Sequence, residues 1–238
     1  ALVASANAAH KFLEAKNGDT WSLLLPTNHI AGINVMARST LLESELKTVD
    51  ESADFTSVVP TQLYTALNSD SKLLSHLKGC KAVLVGGARL SENLFEDAKA
   101  SGINVITTYG ATETCGGCVY DGIPLEGVEI KIENSLINLK VSYMNNGDWL
   151  SLNDLGHLEN GKLIVDGRAD DVIICGGENL SLIRLERFLE SKFPNTNFLA
   201  AGIPDEKWGQ VLGLLCENNF PEDLEIMNFQ AENCNLPD

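Results

Sequence analysis

The sequence has little positive charge, few cysteines and no long apolar run, and each shortage excludes a class of protein. Its 17 Lys and Arg stand against 33 Asp and Glu, a net charge of -16, so a broad basic face for nucleic acid is not expected. Six cysteines in 238 residues are too few for a disulfide scaffold. No run approaches the roughly 18 apolar residues of a membrane helix, and no secretory signal opens the sequence. We therefore expect no membrane span and a cytoplasmic protein.

The residues that are present predict a globular α/β protein. With 44% hydrophobic residues in a chain of 238, the length allows one large or two smaller domains. Up to about residue 119, apolar strands such as KAVLV and GINVIT alternate with helical patterns, which predicts a layered, mostly parallel sheet with ligand loops at the carboxyl ends of its strands. Short alternating runs then predict a small antiparallel sheet, and a smaller α+β pattern begins at Arg168.

One loop, TTYGATETCGGC at residues 107–118, is open to two kinds of chemistry. The hydroxyl of Thr112 and the carboxylate of Glu113 could hold a phosphate and its metal ion, or they could simply cap a helix. Cys115 and Cys118 could instead form a redox or zinc pair. A structural zinc site needs four ligands, and the sequence has no second C-x-x-C. A thioredoxin-like dithiol should open a helix, whereas glycines follow here.

Three motifs taken together resemble the adenylate-forming acyl-CoA synthetase superfamily, and the resemblance runs from about residue 2 to about residue 217. The motifs are YGATE at 109–113, LNDLGHLENGKL at 152–163 and DGRADDVIICGGENLSLIRLE at 166–186. Within the superfamily, PTNHIAGINVMARS at 26–39 and YGATETCGGCVYDGIPLEGVEIKI at 109–132 resemble the o-succinylbenzoate–CoA ligases of menaquinone biosynthesis, particularly the actinobacterial type. The resemblance implies adenylation of a carboxylic acid by ATP with Mg²⁺, followed by thioester formation with CoA.

For the nucleotide, the resemblance implies that Thr112 binds a phosphate oxygen and Glu113 binds Mg²⁺. It places Asp154 and Arg168 at the ribose, where a carboxylate can accept from both hydroxyls and a guanidinium can donate. An Asx turn and a surface salt bridge are the structural alternatives. The adenine site is implied for Gly86, Gly87, Ala88, Tyr109 and Gly110, for which a tight turn and core packing are the alternatives.

For the acid, the resemblance places His29 at the border of the acyl pocket and the CoA channel, as a catalytic residue beside Thr112 and Glu113. His29 could equally be a helix-cap histidine. Arg38 lies on an otherwise apolar helical segment, so it needs an anionic partner: either a second carboxylate of the substrate or an internal Asp or Glu. Gly110, Cys115 and Gly116 are expected to let the loop pass close to the acid.

The resemblance also implies a partial adenylation domain at 1–167 and a partial, mobile C-terminal domain at 168–238, with a hinge at Asp170. Gly176, Gly177 and Glu178 would contact CoA. The family's lysine-bearing phosphate loop and its C-terminal lysine have no counterpart here, so we expect a chain truncated at both ends. The alternatives are another acyl- or aryl-CoA synthetase, a binding protein without catalysis, and a redox dithiol protein. Whether the protein forms a homo-oligomer stays open.

Overall fold

The structure, a computed structural model, describes residues 1–169, 171–175, 178–193, 196–205 and 207–216, without the side chains of residues 145, 175, 178 and 179. The helices in this part of the chain are α1 Leu2–Leu13, α2 Ile30–Leu41, α3 Pro60–Asn68, α4 Ser71–Gly79, α5 Glu92–Ala100 and α6 Leu182–Lys192. The strands are β1 Trp21–Ser22, β2 Phe55–Val58, β3 Ala82–Val85, β4 Val105–Ala111, β5 Gly116–Tyr120, β6 Ile123–Pro124, β7 Val128–Glu133, β8 Leu136–Val141, β9 Trp149–Glu159, β10 Lys162–Arg168, β11 Val172–Cys175, β12 Glu178–Ser181, β13 Phe198–Asp205 and β14 Gly209–Cys216.

The first sheet has six strands in the order β1-β2-β3-β4-β5-β6. Strands β1 to β4 run parallel, and β5 and β6 continue the sheet antiparallel to their neighbours. Every residue of β2 and β3 is buried, because a parallel sheet is covered by the helices that connect its strands. The predicted fold class, a parallel-sheet α/β protein with smaller antiparallel sheets, is confirmed.

Apolar residues of α3, α4 and α5 form one core cluster with the parallel strands. Its buried members include Val58, Leu63, Leu77, Val83, Val85, Ala98 and Val105. This cluster fixes the positions of β3 and β4, and therefore of the two loops that follow them. Both loops lie at the carboxyl edge of the parallel sheet, where α/β proteins hold their ligands.

Two elements differ from the pattern in the sequence. The run WSLLLP predicts a strand from residue 21 to residue 26, but β1 ends at Ser22, because only Trp21 and Ser22 pair with β2. Helix α4 was not predicted at all. The Asp70 carboxylate caps its first turn by accepting hydrogen bonds from the N–H groups of Lys72 and Leu73. The short sequence of this helix did not lead to a helix prediction.

Two further four-stranded sheets follow, in the orders β10-β9-β8-β7 and β12-β11-β14-β13. The neighbours in the last sheet are antiparallel, and α6 shares a core cluster with it. The chain divides into two compact units: residues 1–131, 138–152 and 158–164 form the first, and residues 132–137, 153–157 and the chain from Val165 onward form the second. The predicted domain boundary after Gly167 stays a prediction.

The described helices are short. The longest, α1 and α2, have 12 residues each, and none of the helices in this part of the chain combines the length and the apolar character of a membrane-spanning helix.

Candidate functional site

The loop after β4 presents two polar side chains to solvent. A single 3-10 turn, Thr112–Thr114, follows the strand, and Thr112 and Glu113 are exposed on it. The buried hydroxyl of Thr114, not that of Thr112, caps this turn: it accepts from the Ala111 N–H at 2.8 Å and donates to the Gly116 carbonyl at 2.8 Å. Neither Thr112 nor Glu113 uses its side chain to hold the loop among the described residues, so both are available to a ligand.

Glu113 fits the role of a magnesium ligand. Mg²⁺ is usually held by one or two carboxylates together with substrate phosphates and waters, and Glu113 offers one exposed carboxylate at the carboxyl edge of the parallel sheet. None of the basic side chains in the described ranges forms an ion pair with it, so its oxygens are not already neutralised.

Two consecutive residues in left-handed backbone conformations close the same loop. Cys115 has φ 61° and Gly116 has φ 91°. A β-carbon on Gly116 would lie 2.5 Å from Nδ2 of Asn34, so this glycine is required by packing inside the protein. The Asn34 Nδ2 in turn donates to the Cys115 carbonyl at 2.8 Å. The loop is therefore fixed against α2, which carries Asn34.

Internal packing also requires one glycine in the loop after β3. A β-carbon on Gly86 would clash with Oγ1 of Thr108 on the neighbouring strand β4. Gly87 has φ 82° and is exposed, as is Ala88, and Tyr109 is half-buried on β4. The turn is thus tight, and the adenine site at Gly86, Gly87, Ala88, Tyr109 and Gly110 stays a prediction.

A cavity of about 90 Å³ opens between α2 and the strand ends. Its wall includes Asn34, Arg38, Ser57, Gly86, Gly87, Thr108 and Tyr120. The structure thereby brings the predicted acid-binding residue Arg38 to the same cavity as the predicted adenine-site glycines. Sequence reasoning missed Asn34, Ser57 and Tyr120, although Asn34 lies one helical turn before Arg38 and so shares its face.

Arg38 is a buried cation in the wall of this cavity. Its side chain is only 4% exposed. The Nη2 atom donates to the Tyr120 hydroxyl at 2.9 Å, and the guanidinium carbon lies 5.1 Å from the centre of the Trp21 ring. The Nε atom finds no hydrogen-bond partner among the residues that the structure describes. No Asp or Glu of the described residues pairs with this guanidinium. The described part of the chain therefore does not supply the internal carboxylate partner that was one of the two alternatives for Arg38.

The buried charge affects the groups around it. Burial, together with the nearby Arg38 charge, lowers the pKa of His10 from 6.5 to about 4. Burial raises the pKa of Tyr120, an effect that Arg38 opposes. Both neighbours of the guanidinium are consequently neutral near pH 7, and neither compensates its charge.

The cysteines of the CGGC sequence are free, buried thiols. Burial raises the pKa of Cys115, and it raises the pKa of Cys118 to about 11. A thiol of this kind is a poor nucleophile and a poor metal ligand, since both roles need the thiolate. The geometry thus gives no support to the redox alternative.

His29 lies at the amino-terminal cap position of α2 without capping it. Its backbone is extended, its side chain makes no cap hydrogen bond, and it is exposed. Of the predicted acid-side residues, only Arg38 belongs to the described cavity wall; His29, Gly110, Cys115 and Gly116 do not. Their contact with a substrate stays a prediction.

In the second compact unit, the two predicted ribose residues lie together. Nη1 of Arg168 is 3.5 Å from Oδ1 of Asp154, whose side chain is 14% exposed against 50% for Arg168. The salt bridge that was the structural alternative for Arg168 is therefore present. The role of both residues at the ribose stays a prediction. The predicted hinge Asp170, the glycines Gly176 and Gly177, and the side chain of Glu178 lie outside the described residues.

Comparison with known proteins shows which family the chain is similar to. The family model of the AMP-binding enzymes matches residues 1–169. Among curated proteins, a probable 2-succinylbenzoate–CoA ligase of Mycobacterium tuberculosis is 34% identical over 88% of this chain, and 2-succinylbenzoate–CoA ligase of Escherichia coli is 30% identical over 88%. The chain spans 63% and 52% of the lengths of these two relatives.

Solved structures agree with the curated relatives. MenE of Escherichia coli, with a bound phenylether-linked analogue of OSB-AMS, superposes with a TM-score of 0.80 at 25% identity, covering 99% of this chain and 60% of that one. The o-succinylbenzoate CoA synthetase of Bacillus subtilis, in complex with its acyl-adenylate intermediate, has a TM-score of 0.72 at 26% identity, covering 90% and 54%. The chain therefore belongs to the family of AMP-binding enzymes.

Proposed function

We propose that the protein takes part in the ATP-dependent ligation of o-succinylbenzoate to CoA, the activity by which its curated relatives are named. The observation that carries the proposal is Arg38, a buried guanidinium in the wall of a cavity with no carboxylate partner in the described part of the chain. An unpaired buried charge is costly. An aromatic dicarboxylic acid would bring one carboxylate to pair with Arg38 and keep the other for reaction.

In the first half-reaction, an oxygen of the reacting carboxylate attacks the α-phosphorus of ATP, and pyrophosphate leaves. Thr112 would donate its hydroxyl to a phosphate oxygen, and Glu113 would hold Mg²⁺, which supplies charge neutralisation on the phosphates when bound. Asp154 would accept from the ribose hydroxyls beside Arg168. Gly86, Gly87, Ala88 and Tyr109 would border the adenine.

In the second half-reaction, the CoA thiol attacks the acyl carbon, loses its proton, and AMP leaves with the former carboxylate oxygen. His29, exposed at the start of α2, would border the path of the thiol. Gly176, Gly177 and Glu178 would meet CoA after a rotation about Asp170. These assignments follow the family motifs and are part of the proposal.

Acid-dependent exchange of labelled pyrophosphate into ATP tests the proposal, with o-succinylbenzoate, benzoate and no acid as the three arms. The proposal expects exchange with o-succinylbenzoate that exceeds exchange with benzoate. Equal exchange with both acids would indicate an aryl-CoA synthetase of another specificity. Calorimetric binding of o-succinylbenzoate and ATP without any exchange would indicate a binding protein, and absence of binding would refute the proposal.

A further inference from the structure

Asn34 connects two parts of the site that the sequence motifs treat separately. It lies on α2, is 1% exposed, and belongs to the wall of the cavity that also contains Arg38. Its amide nitrogen reaches across to the loop after β4, where Nδ2 donates to the carbonyl of Cys115 at 2.8 Å. Asn34 lies within the quoted segment 26–39, but it is not among the site residues that the resemblance implies.

The orientation of the Asn34 amide is fixed by chemistry. A backbone carbonyl only accepts hydrogen bonds, so the atom of Asn34 that faces Cys115 must be the NH₂ group. The carbonyl oxygen Oδ1 is left as the second polar atom, and it is buried without a hydrogen-bond partner in the described part of the chain. Buried polar atoms in native proteins are nearly always paired. Because the carboxylates of the proposed acid only accept hydrogen bonds, Oδ1 is an acceptor that a water molecule bridging to the acid would satisfy.

The Cys115 carbonyl is a sensitive point of the loop. Cys115 and Gly116 both have left-handed backbones, which cost energy for a residue with a side chain and persist only where the surroundings hold them. Thr114 fixes one side of the turn through Ala111 and Gly116. Asn34 fixes the other, assisted by a long 3.5 Å contact from the Ser5 hydroxyl.

Thr112 and Glu113 depend on this anchoring. They stand directly before Thr114 and Cys115, and no contact of their own side chains holds them in the described structure. Their positions therefore follow from the turn, and a shift of the Cys115 carbonyl would move both.

From this arrangement we infer that Asn34 is a positioning residue that ties the acid cavity to the loop bearing Thr112 and Glu113. It holds the loop through its NH₂ group, and its oxygen would accept from a water molecule that bridges to the acid. The inference rests on the proposed function for the identity of the two ligands, an aromatic dicarboxylate and ATP with Mg²⁺. The anchoring of the turn does not depend on those ligands.

The test compares Asn34→Leu with Ser39→Ala. Leucine keeps the shape of asparagine and removes both polar atoms. Ser39 is a matched control, because it is also buried on α2 and donates one hydrogen bond, to the Ser44 carbonyl at 2.9 Å, yet it lies outside the described cavity wall. Calorimetry on the full chain measures the Kd of o-succinylbenzoate and, separately, of ATP with Mg²⁺.

We expect Asn34→Leu to raise the Kd of both ligands by about tenfold, the usual effect of losing a buried hydrogen bond. Ser39→Ala should weaken neither. For comparison, Arg38→Met should weaken the binding of the acid alone, and Thr112→Ala should weaken the binding of the nucleotide alone. An Asn34→Leu protein that loses affinity for only one ligand, or that behaves like Ser39→Ala, would overturn the inference.

A second readout needs no ligand and separates this inference from the proposed function. Cys115 is a buried thiol in the wild-type loop, so a thiol reagent at pH 8 should modify it slowly. Releasing its carbonyl in Asn34→Leu should raise its modification rate at least about tenfold relative to Cys80, the buried thiol after α4, measured by mass spectrometry of the peptides. If the wild-type chain binds neither ligand, the proposed function fails; if the Cys115 rate is unchanged, the anchoring fails.

Discussion

At the scale of single residues, Arg38 sets the electrostatics of the cavity. A guanidinium that is 4% exposed has lost most of its hydration, and a tyrosine hydroxyl and the face of Trp21 are weak replacements for a carboxylate. A site of this kind is costly when empty and favours an anion that can enter it. This is the physical basis for expecting a second carboxylate on the acid.

Arg38→Met tests that role. Methionine fills a similar volume without charge, so we expect the affinity for o-succinylbenzoate to fall by roughly ten- to a hundredfold, because a charge-assisted hydrogen bond contributes about 1.5–3 kcal/mol. The affinity for benzoate should change much less, because it has no second carboxylate to lose. Calorimetry with both acids makes the measurement.

The stability of the variant provides the control. Removing the buried charge removes the cost of its desolvation, which stabilises the fold. The Tyr120 hydroxyl loses the hydrogen bond donated by Arg38, which destabilises it. Because the two effects oppose each other, the free energy of unfolding in urea should change little. A large loss of stability together with equal losses of affinity for both acids would show that Arg38 is structural.

At the scale of elements, local capping decides where the helices begin. Ser91 caps α5 through the Leu94 N–H at 3.3 Å, as its position before the helix predicts. Asp70 caps α4 more closely, accepting from Lys72 and Leu73 at 3.1 and 2.9 Å. Helix α4 also contributes the buried Leu77 to the core cluster under β3 and β4.

Asp70→Ala should therefore destabilise the protein by about 1 kcal/mol, the usual cost of losing an amino-terminal cap. Urea denaturation of the wild type, Asp70→Ala and Asp70→Asn makes the measurement. Asparagine keeps an acceptor oxygen at the cap, so that variant should retain most of the stability. If the alanine and asparagine variants lose equal stability, the cap hydrogen bonds are not the cause.

At the scale of the whole molecule, a buried neutral histidine makes the fold sensitive to mild acid. No described residue forms a hydrogen bond with Nε2 of His10, and the pKa of this histidine is lowered from 6.5 to about 4. The unfolded chain takes up a proton below pH 6.5, whereas the folded protein does so only near pH 4. The stabilising contribution is therefore complete above pH 6.5 and is lost as the pH falls toward 4.

The free energy of unfolding should accordingly decrease between pH 7 and pH 4, by up to roughly 3 kcal/mol from this one group. Burial also lowers the pKa of His76, which adds to the slope in the same direction. His10→Leu should flatten the dependence between pH 7 and pH 5, above the range in which most carboxylates titrate. Urea unfolding at several pH values tests this, and an unchanged slope in His10→Leu would contradict it.

Much of the fold was accessible from the sequence because it is encoded locally. The apolar runs KAVLV and GINVIT consist of residues close together in the chain, so their patterns predicted the strands that the structure has as β3 and β4. The prediction made β1 too long, because only Trp21 and Ser22 find partners on β2, and these partners, Phe55 and Thr56, lie 34 positions away in the printed chain. No local pattern contains that information.

The sequence by itself determined which residues have the chemistry for a nucleotide and an acid: Thr112, Glu113 and Arg38 were predicted from residue type and motif. The tertiary structure decided what surrounds them. It placed the Arg38 guanidinium beside Tyr120 and Trp21 and away from every carboxylate in the described ranges, and it placed Asn34 against Gly116. Charge and hydrogen-bonding capacity belong to the residue, whereas desolvation and pairing are set by contacts between residues far apart in the chain, and these exist only once the chain has folded.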